Sequence, residues 1–225
     1  MIISHRNKTY RAILNKNTPK RKQNRYNGGY FCSRDIVEEI IPRVQTDRSW
    51  ITINVRKCVD HSIFFVHNYL HPEWYEFLSD YEDVVLVFHH EKIMPELAHL
   101  GKQILLPTFI NVDYVKQFRT EKTKDTAYVG RSAVRKGLLL PGDIDFIENV
   151  PREELLSRMA EYKKVYAIGR TALEAKVLGC EILPFDPVWN DPDYWKVLDV
   201  KDAAAILQKE LDKIDGYSLL LQGNK

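Results

Sequence analysis

The sequence is poor in cysteine and has no long apolar run. Its three cysteines, Cys32, Cys58 and Cys180, stand far apart and form no C-x-x-C pair. A disulfide scaffold and a cysteine-built zinc site are therefore not expected, and a reducing compartment fits this composition. The longest apolar runs fall far short of the ~20 residues of a transmembrane helix, and the first residues do not form the apolar stretch of a secretory signal. We expect a cytoplasmic protein with no transmembrane segment.

Two nucleotide-binding motifs are also missing. No predicted early strand is followed by G-x-G-x-x-G, which argues against a dinucleotide cofactor, and G-x-x-x-x-G-K-[ST] does not occur. A disordered chain is excluded as well, because 44% of the 225 residues are hydrophobic and supply enough apolar material for a core. A chain of this length forms one or two domains.

Acidic residues are absent from the first 34 positions. Met1–Arg34 holds nine Lys or Arg residues, a block that suggests contact with nucleic acid, a phosphate-bearing glycan or an acidic membrane face. The alternative is a solvated arm. Residues 15–29 are rich in Asn, Lys and Gly, which predicts a loop. We treat residues 1–29 as a basic N-terminal segment.

From residue 30 onward, apolar runs alternate with short amphipathic segments. Runs such as Ser62–Val66 and Val84–Phe88 are typical of buried strands, and the alternation predicts parallel sheets covered by helices. We therefore predict an α/β protein with two small Rossmann-like lobes, residues 30–120 and 121–225, divided within residues 119–125. The pattern also predicts a helix capped by Ser33, a strand at 164–168 and a last helix at 202–214.

Two predicted strands of the second lobe end in glycine followed by cations. Gly130 and Arg131 follow one strand, and Lys136 stands shortly after them. Glycine lets a ligand approach the backbone, and Arg and Lys supply charge for a diphosphate. Solvated cations on a surface turn are the alternative interpretation.

The second strand of this kind leads into a predicted helix. Gly169, Arg170 and Thr171 open that helix, and its first amides can bind an anion. Glu174 comes one turn later, where its carboxylate could accept hydrogen bonds from ribose hydroxyls. The alternative for Glu174 is a first-turn acid that complements the helix dipole.

In their order and context, these motifs resemble the nucleotide-sugar-binding lobe of GT-B glycosyltransferases. Residues 130–137 are similar to the family's G-R-L-x-x-x-K-G loop, with Ser132 in place of Leu. Residues 169–175 resemble its strand–loop–helix segment ending in Glu-Ala, and Gly179 with the next apolar run resembles G-x-P-V-I. Residues 106–118 look like the segment I-P-N-G-V-D-x-x-x-F that lies between the family's two lobes.

This resemblance implies a metal-independent glycosyltransferase that moves a sugar from a nucleotide diphosphate sugar to an acceptor hydroxyl. Gly130, Arg131 and Lys136 would hold the donor diphosphate, the amides of residues 169–171 the phosphate or sugar, and Glu174 the ribose. No metal or cofactor would be needed, because cations and amides neutralise the leaving diphosphate. The basic segment points to an anionic acceptor: a glycan, a lipid-linked intermediate or modified DNA. Because the chain is short for two full lobes, the acceptor lobe is expected to be abbreviated, completed by another chain in a homo- or hetero-oligomer, or absent.

Polar residues follow the predicted strands of the first lobe. His67, His89 and Glu91 are candidate catalytic residues, since the carboxyl ends of parallel strands face the ligand crevice and histidine is the usual general base near neutral pH. In the enzymes that the chain resembles, a His or an acid of the first lobe faces the transferred sugar. A hydrogen-bonded structural histidine is the alternative.

Three features depart from the family pattern. Tyr166 stands where the family's E-x7-E has its first Glu, few residues separate Gly137 from the next predicted strand, and 225 residues are few for two complete lobes. These departures favour a second hypothesis, a catalytically inactive GT-B-like module that binds a partner protein or nucleic acid. Asp143 and Asp145 form the D-x-D of a metal-dependent transferase, but they begin a predicted strand, so no metal site is predicted.

Overall fold

The structure is a computed structural model, and it forms two compact units. It describes residues 2–5, 8–11, 28–52, 58–66, 72–91, 94–130, 140–141, 143–185 and 191–222, with side chains described from residue 32 to residue 216. The first unit contains the described parts of Met1–Asn17, Phe31–Thr108 and Lys201–Lys225, and the second those of Thr18–Tyr30 and Phe109–Val200.

The units divide the chain differently from the predicted lobes. The division falls after Thr108 instead of within residues 119–125, and the C-terminal residues from Lys201 onward belong to the first unit. The reason is visible in the last helix, whose Asp215 carboxylate accepts two hydrogen bonds from Arg48, at 2.7 and 3.1 Å. Arg48 directly precedes the strand Ser49–Ile51 of that unit.

Ten strands and five α-helices make up the described chain. The strands are β1 (Ile2–His5), β2 (Lys8–Arg11), β3 (Ser49–Ile51), β4 (Ser62–Val66), β5 (Val84–Phe88), β6 (Lys102–Leu105), β7 (Lys124–Gly130), β8 (Asp145–Glu148), β9 (Tyr162–Tyr166) and β10 (Glu181–Leu183). The helices are α1 (Gly28–Asp35), α2 (Val112–Lys116), α3 (Arg152–Ala160), α4 (Arg170–Leu178) and α5 (Val200–Gln222), and short 3₁₀ helices cover Pro72–Asp80, Pro95–Leu100 and Pro192–Tyr194.

The first unit is built on a parallel sheet of order β3-β4-β5-β6. Every residue of β4 and β5 is buried, as expected for central strands covered on both faces. On one face, alternate strand residues such as Phe64 and Leu86 pack with residues of the two longer 3₁₀ helices, among them Tyr75, Leu78 and Leu97. An antiparallel hairpin of β1 and β2 precedes this sheet in the chain.

The first helix begins earlier than the sequence predicts. Ser33 was expected to be its N-cap, but α1 already begins at Gly28 and continues through a π-helical turn at Ile36–Ile40. The Ser33 hydroxyl instead donates a hydrogen bond of 2.8 Å to the Thr52 carbonyl at the end of β3. This prediction is wrong because the partner of the serine is distant in the sequence.

The second unit is built on a parallel sheet of order β10-β9-β7-β8. The chain passes from β7 to β8 on one side, crosses back through α3 to β9 on the other side, and continues through α4 to β10. The connections that leave β7 and β9 therefore diverge. In an open parallel sheet, such a switch point forms a crevice at the carboxyl ends of the two strands.

The two parallel sheets with their helices confirm the predicted fold class, an α/β protein with two small Rossmann-like lobes. The predicted strand at 164–168 lies two residues earlier, as β9, because its register is set by pairing with β7. Among the helices that the structure describes, none is both long and apolar enough to span a lipid bilayer.

Candidate functional site

The two glycines predicted to approach a ligand flank the switch point of the second sheet. Gly130 is the last residue of β7, and a Cβ there would lie 3.1 Å from the Tyr128 hydroxyl. Gly169 precedes α4 with φ 63° and ψ −140°, a conformation that side chains with a Cβ rarely adopt. A Cβ at position 130 would therefore be tight against Tyr128, and position 169 favours glycine because of its backbone geometry.

A buried cluster of three charged side chains lies at the starts of the two helices on this edge. Arg152 is the first residue of α3 and Arg170 the first residue of α4. Arg152 Nη1 lies 2.7 Å from Glu174 Oε1, and Arg170 Nε lies 2.8 Å from the same oxygen. The exposed fractions of the Arg152, Arg170 and Glu174 side chains are 5%, 9% and 4%. The helix starts therefore carry two guanidinium groups oriented by one shared carboxylate.

This arrangement is suited chemically to an anion with several oxygens. Guanidinium groups bind phosphate in a bidentate manner, the first N–H groups of a helix have no partner within that helix, and the helix dipole favours negative charge there. Thr171, the second residue of α4, is half-buried beside Arg170. Low water access strengthens each of these interactions.

Glu174 was predicted to contact a ribose, but in the structure its carboxylate contacts two arginines. Its carboxylate is buried, and its Oε1 accepts hydrogen bonds from both Arg152 and Arg170. The alternative interpretation, a first-turn acid that complements the helix dipole, is wrong because α4 begins at Arg170 and Glu174 lies beyond its first turn. Contact of Glu174 with a ribose stays a prediction.

Tyr166, the departure from the family's Glu, ends β9 within a row of aromatic rings. Its ring lies 5.8 Å from that of Phe185, which also lies 5.8 Å from the ring of Tyr128. Tyr128 in turn lies 5.9 Å from Phe146, whose residue is 44% exposed. The position therefore carries an aromatic packing contact close to the switch point.

His89 has the environment of a structural histidine. The residue is buried at the end of β5, and its Nδ1 lies 3.0 Å from the Leu106 carbonyl, to which it donates. Its Nε2 lies 3.5 Å from Cys32 Sγ, and its ring is 6.1 Å from that of Phe65. These contacts fix the ring, whereas Glu91 is exposed. A catalytic role of either residue stays a prediction.

Three predicted site residues lie outside the described residues: His67, Arg131 and Lys136. Of the two D-x-D carboxylates, Asp143 is exposed, and Asp145 accepts a hydrogen bond of 2.7 Å from the Tyr162 hydroxyl. Burial, followed by this contact, raises the pKa of Tyr162 to about 12. Within the part of the chain that the structure describes, no group of His, Cys, Asp and Glu is arranged to hold a metal ion.

Comparison with known proteins adds no identity to this geometry. A scan against protein-family models and searches of curated proteins and of solved structures return no match for this chain. The features of this chain that bear on function are therefore its fold, its sequence motifs and the cluster of Arg152, Glu174 and Arg170.

Proposed function

We propose that the chain is a glycosyltransferase whose second unit binds the diphosphate of a nucleotide sugar. The observation that carries this proposal is the pair of buried guanidinium groups, Arg152 and Arg170, at two helix starts on the carboxyl edge of a parallel sheet. Arg170 follows β9, which flanks the switch point where α/β proteins of this kind bind their ligands. Arg152 follows β8, the edge strand that pairs with β7. The resemblance of residues 130–137 and 169–175 to donor-binding motifs supports the same assignment.

The reaction gives these cations a defined task. The acceptor oxygen attacks the anomeric carbon, the bond from that carbon to the diphosphate oxygen breaks, and the diphosphate leaves with the electron pair. Negative charge therefore develops on the diphosphate in the transition state, and preorganised cations and amides stabilise it. The acceptor proton passes to a base, for which His67, His89 and Glu91 are the candidates from the sequence. The acceptor is an anionic molecule, because the basic N-terminal segment would attract negative charge.

Donor binding can be tested by calorimetry with a panel of nucleoside diphosphates and their sugars. Each charge-assisted hydrogen bond contributes about 1.5–3 kcal/mol, so Arg170→Ala should weaken binding about 10-fold or more. Arg158→Ala is the matched control, because Arg158 lies on α3 in an exposed ion pair with Glu154. It should bind as wild type does. The proposal fails if the wild-type chain binds no member of the panel at millimolar concentration, or if the Arg170 variant binds like the control.

One observation favours a second candidate, a nucleotide-binding module without transfer activity. Tyr166 packs on Phe185 at the position where the GT-B family that the chain resembles has a Glu. A transfer and hydrolysis assay separates the two candidates. Release of free nucleoside diphosphate from a bound nucleotide sugar supports the enzyme, whereas binding without release supports the module.

A further inference from the structure

At the amino-terminal ends of the strands in the second sheet, a lysine amine lies next to a cysteine thiol. Lys122 Nζ lies 3.2 Å from Cys180 Sγ and 2.8 Å from the Ala160 carbonyl. Lys122 stands two residues before β7, and Cys180 stands directly before β10. Since both strands begin at the amino-terminal edge of the sheet, this pair lies at the opposite end from Arg152 and Arg170.

Hydrogen bonds to backbone carbonyls hold the chain in place on both sides of Lys122. Arg119 Nε donates to the Val177 carbonyl at 2.6 Å, and the amides of Thr123 and Lys124 donate to the Glu161 carbonyl at 2.9 and 3.0 Å. The cysteine is fixed as well, because it lies between β10 and Gly179, which ends α4 with a left-handed φ of 82°. The amine and the sulfur are therefore positioned together before any reaction begins.

The other cysteines provide a comparison within the same chain. All three are buried and free of disulfides. Cys32 lies beside the His89 imidazole, and Cys58 lies 3.2 Å from the Ser62 hydroxyl. Cys180 combines burial with an amine nucleophile within hydrogen-bonding distance, which is the arrangement needed to capture an oxidised sulfur.

We propose that peroxide joins Cys180 to Lys122 through a covalent nitrogen–sulfur bond, which makes this pair a modification site. The Cys180 thiolate attacks a peroxide oxygen, the O–O bond breaks, and the departing hydroxide takes up a proton to become water. The sulfur then carries a sulfenic acid, a group that condenses with nitrogen nucleophiles. The Lys122 amine, after losing a proton, attacks the sulfur. The N–S bond forms, the S–O bond breaks, and a second water leaves.

The overall reaction balances without a further reactant. One thiol, one amine and one hydrogen peroxide give one sulfenamide and two waters, so the sulfur loses two electrons and the peroxide gains them. Burial raises the pKa of the Cys180 thiol, and the hydrogen bond and charge of Lys122 oppose this rise. The thiolate is the reacting form, and the rate of cross-linking should therefore increase with pH.

Mass spectrometry of the full chain after hydrogen peroxide treatment and tryptic digestion tests the proposal. We expect residues 120–124 to be joined to residues 177–196, with cleavage after Lys122 blocked and a loss of two hydrogens, about 2 Da. Dithiothreitol should reverse the link. Lys122→Arg keeps a cation beside the sulfur but removes the amine, so its Cys180 should gain oxygen and form no cross-link.

Three results would each overturn the proposal. In the first, Cys180 of the native chain is oxidised to the sulfinic acid and no cross-link to Lys122 forms. Cys180 could also stay unmodified under conditions that oxidise it in the urea-unfolded chain. Finally, the link could form equally well in the unfolded chain, which would show that the native geometry does not direct it. None of these results bears on nucleotide binding at the other edge of the sheet.

Discussion

Replacing Glu174 with glutamine should destabilise the second unit. The carboxylate is 4% exposed, and its Oε1 lies 2.7 Å from Arg152 Nη1 and 2.8 Å from Arg170 Nε. Glutamine has nearly the same shape and keeps an acceptor oxygen, but it carries no charge. In the variant, two guanidinium groups that are at least nine-tenths buried lose the carboxylate that they share. The free energy of unfolding should fall mainly for this reason.

The magnitude follows from the burial of all three groups. Removing one partner of a buried ion pair costs about 3–5 kcal/mol. The amide oxygen of glutamine retains a hydrogen bond of about 1 kcal/mol, which leaves an expected loss of about 2–4 kcal/mol. For a chain of this length, 1 kcal/mol moves the Tm by about 2–4 °C. The predicted fall in Tm is therefore about 4–16 °C.

Scanning calorimetry and urea unfolding measure this loss, and the chain offers a matched control. Glu154→Gln makes the same chemical change in an exposed pair, where the Glu154 side chain is 49% exposed and Arg158 Nη1 lies 3.4 Å away. Such surface pairs contribute about 0.2–1 kcal/mol, so this variant should unfold close to wild type. The reasoning is refuted if Glu174→Gln is no less stable than Glu154→Gln.

The remaining predictions concern the first unit. There Arg48, at the amino-terminal end of the parallel sheet, lies between the carboxylates of Asp83 and Asp215. Arg48→Met should speed hydrogen exchange in the C-terminal part of α5, because the buried guanidinium donates to both Asp83 and Asp215; unchanged exchange would contradict this. His61 lies 2.6 Å from Asp83 and 2.8 Å from Asp47. Burial lowers the pKa of His61, but hydrogen bonds to Asp47 and Asp83 outweigh it and raise the value overall. Its contribution to stability is thus present below about pH 6.5 and lost as pH rises through the folded value. His61→Gln should cost more stability in urea unfolding below that range than above it, and an equal cost at both would contradict this.

The fold was predictable because its strongest signals are local. Ser62–Val66 and Val84–Phe88 are continuous apolar runs, and both are strands with the predicted bounds. β9 was displaced in the prediction because two lysines, Lys163 and Lys164, interrupt its apolar pattern. Its register is set by neighbouring strands, which single-sequence periodicity does not report.

The candidate site was only partly predictable. Arg170 and Glu174 were selected because they lie in one motif, and the structure brings them together at 2.8 Å. Arg152 was missed because the residues that open α3, Pro-Arg-Glu-Glu, look like an ordinary helix start. Its partner Glu174 lies on the next helix, and only the packing of α3 beside α4 reveals the pair. A cation at the first position of a helix that follows a strand is the signal that could have found it.

The energetics of the cluster agree better with the proposed anion site than with a purely stabilising role. Desolvating two guanidinium groups and a carboxylate costs several kcal/mol per ion, and apolar residues of similar volume often stabilise a core equally well or better. Net stability is therefore a weak explanation for the burial of Arg152, Arg170 and Glu174, and the proposed diphosphate site would account for it. A fixed pair of guanidinium groups at the carboxyl edge supplies preorganised positive charge, which is costly for folding but needs no rearrangement when an anion binds. The shared carboxylate partly neutralises the two guanidinium groups in the unliganded protein, and it holds both of them at the helix starts.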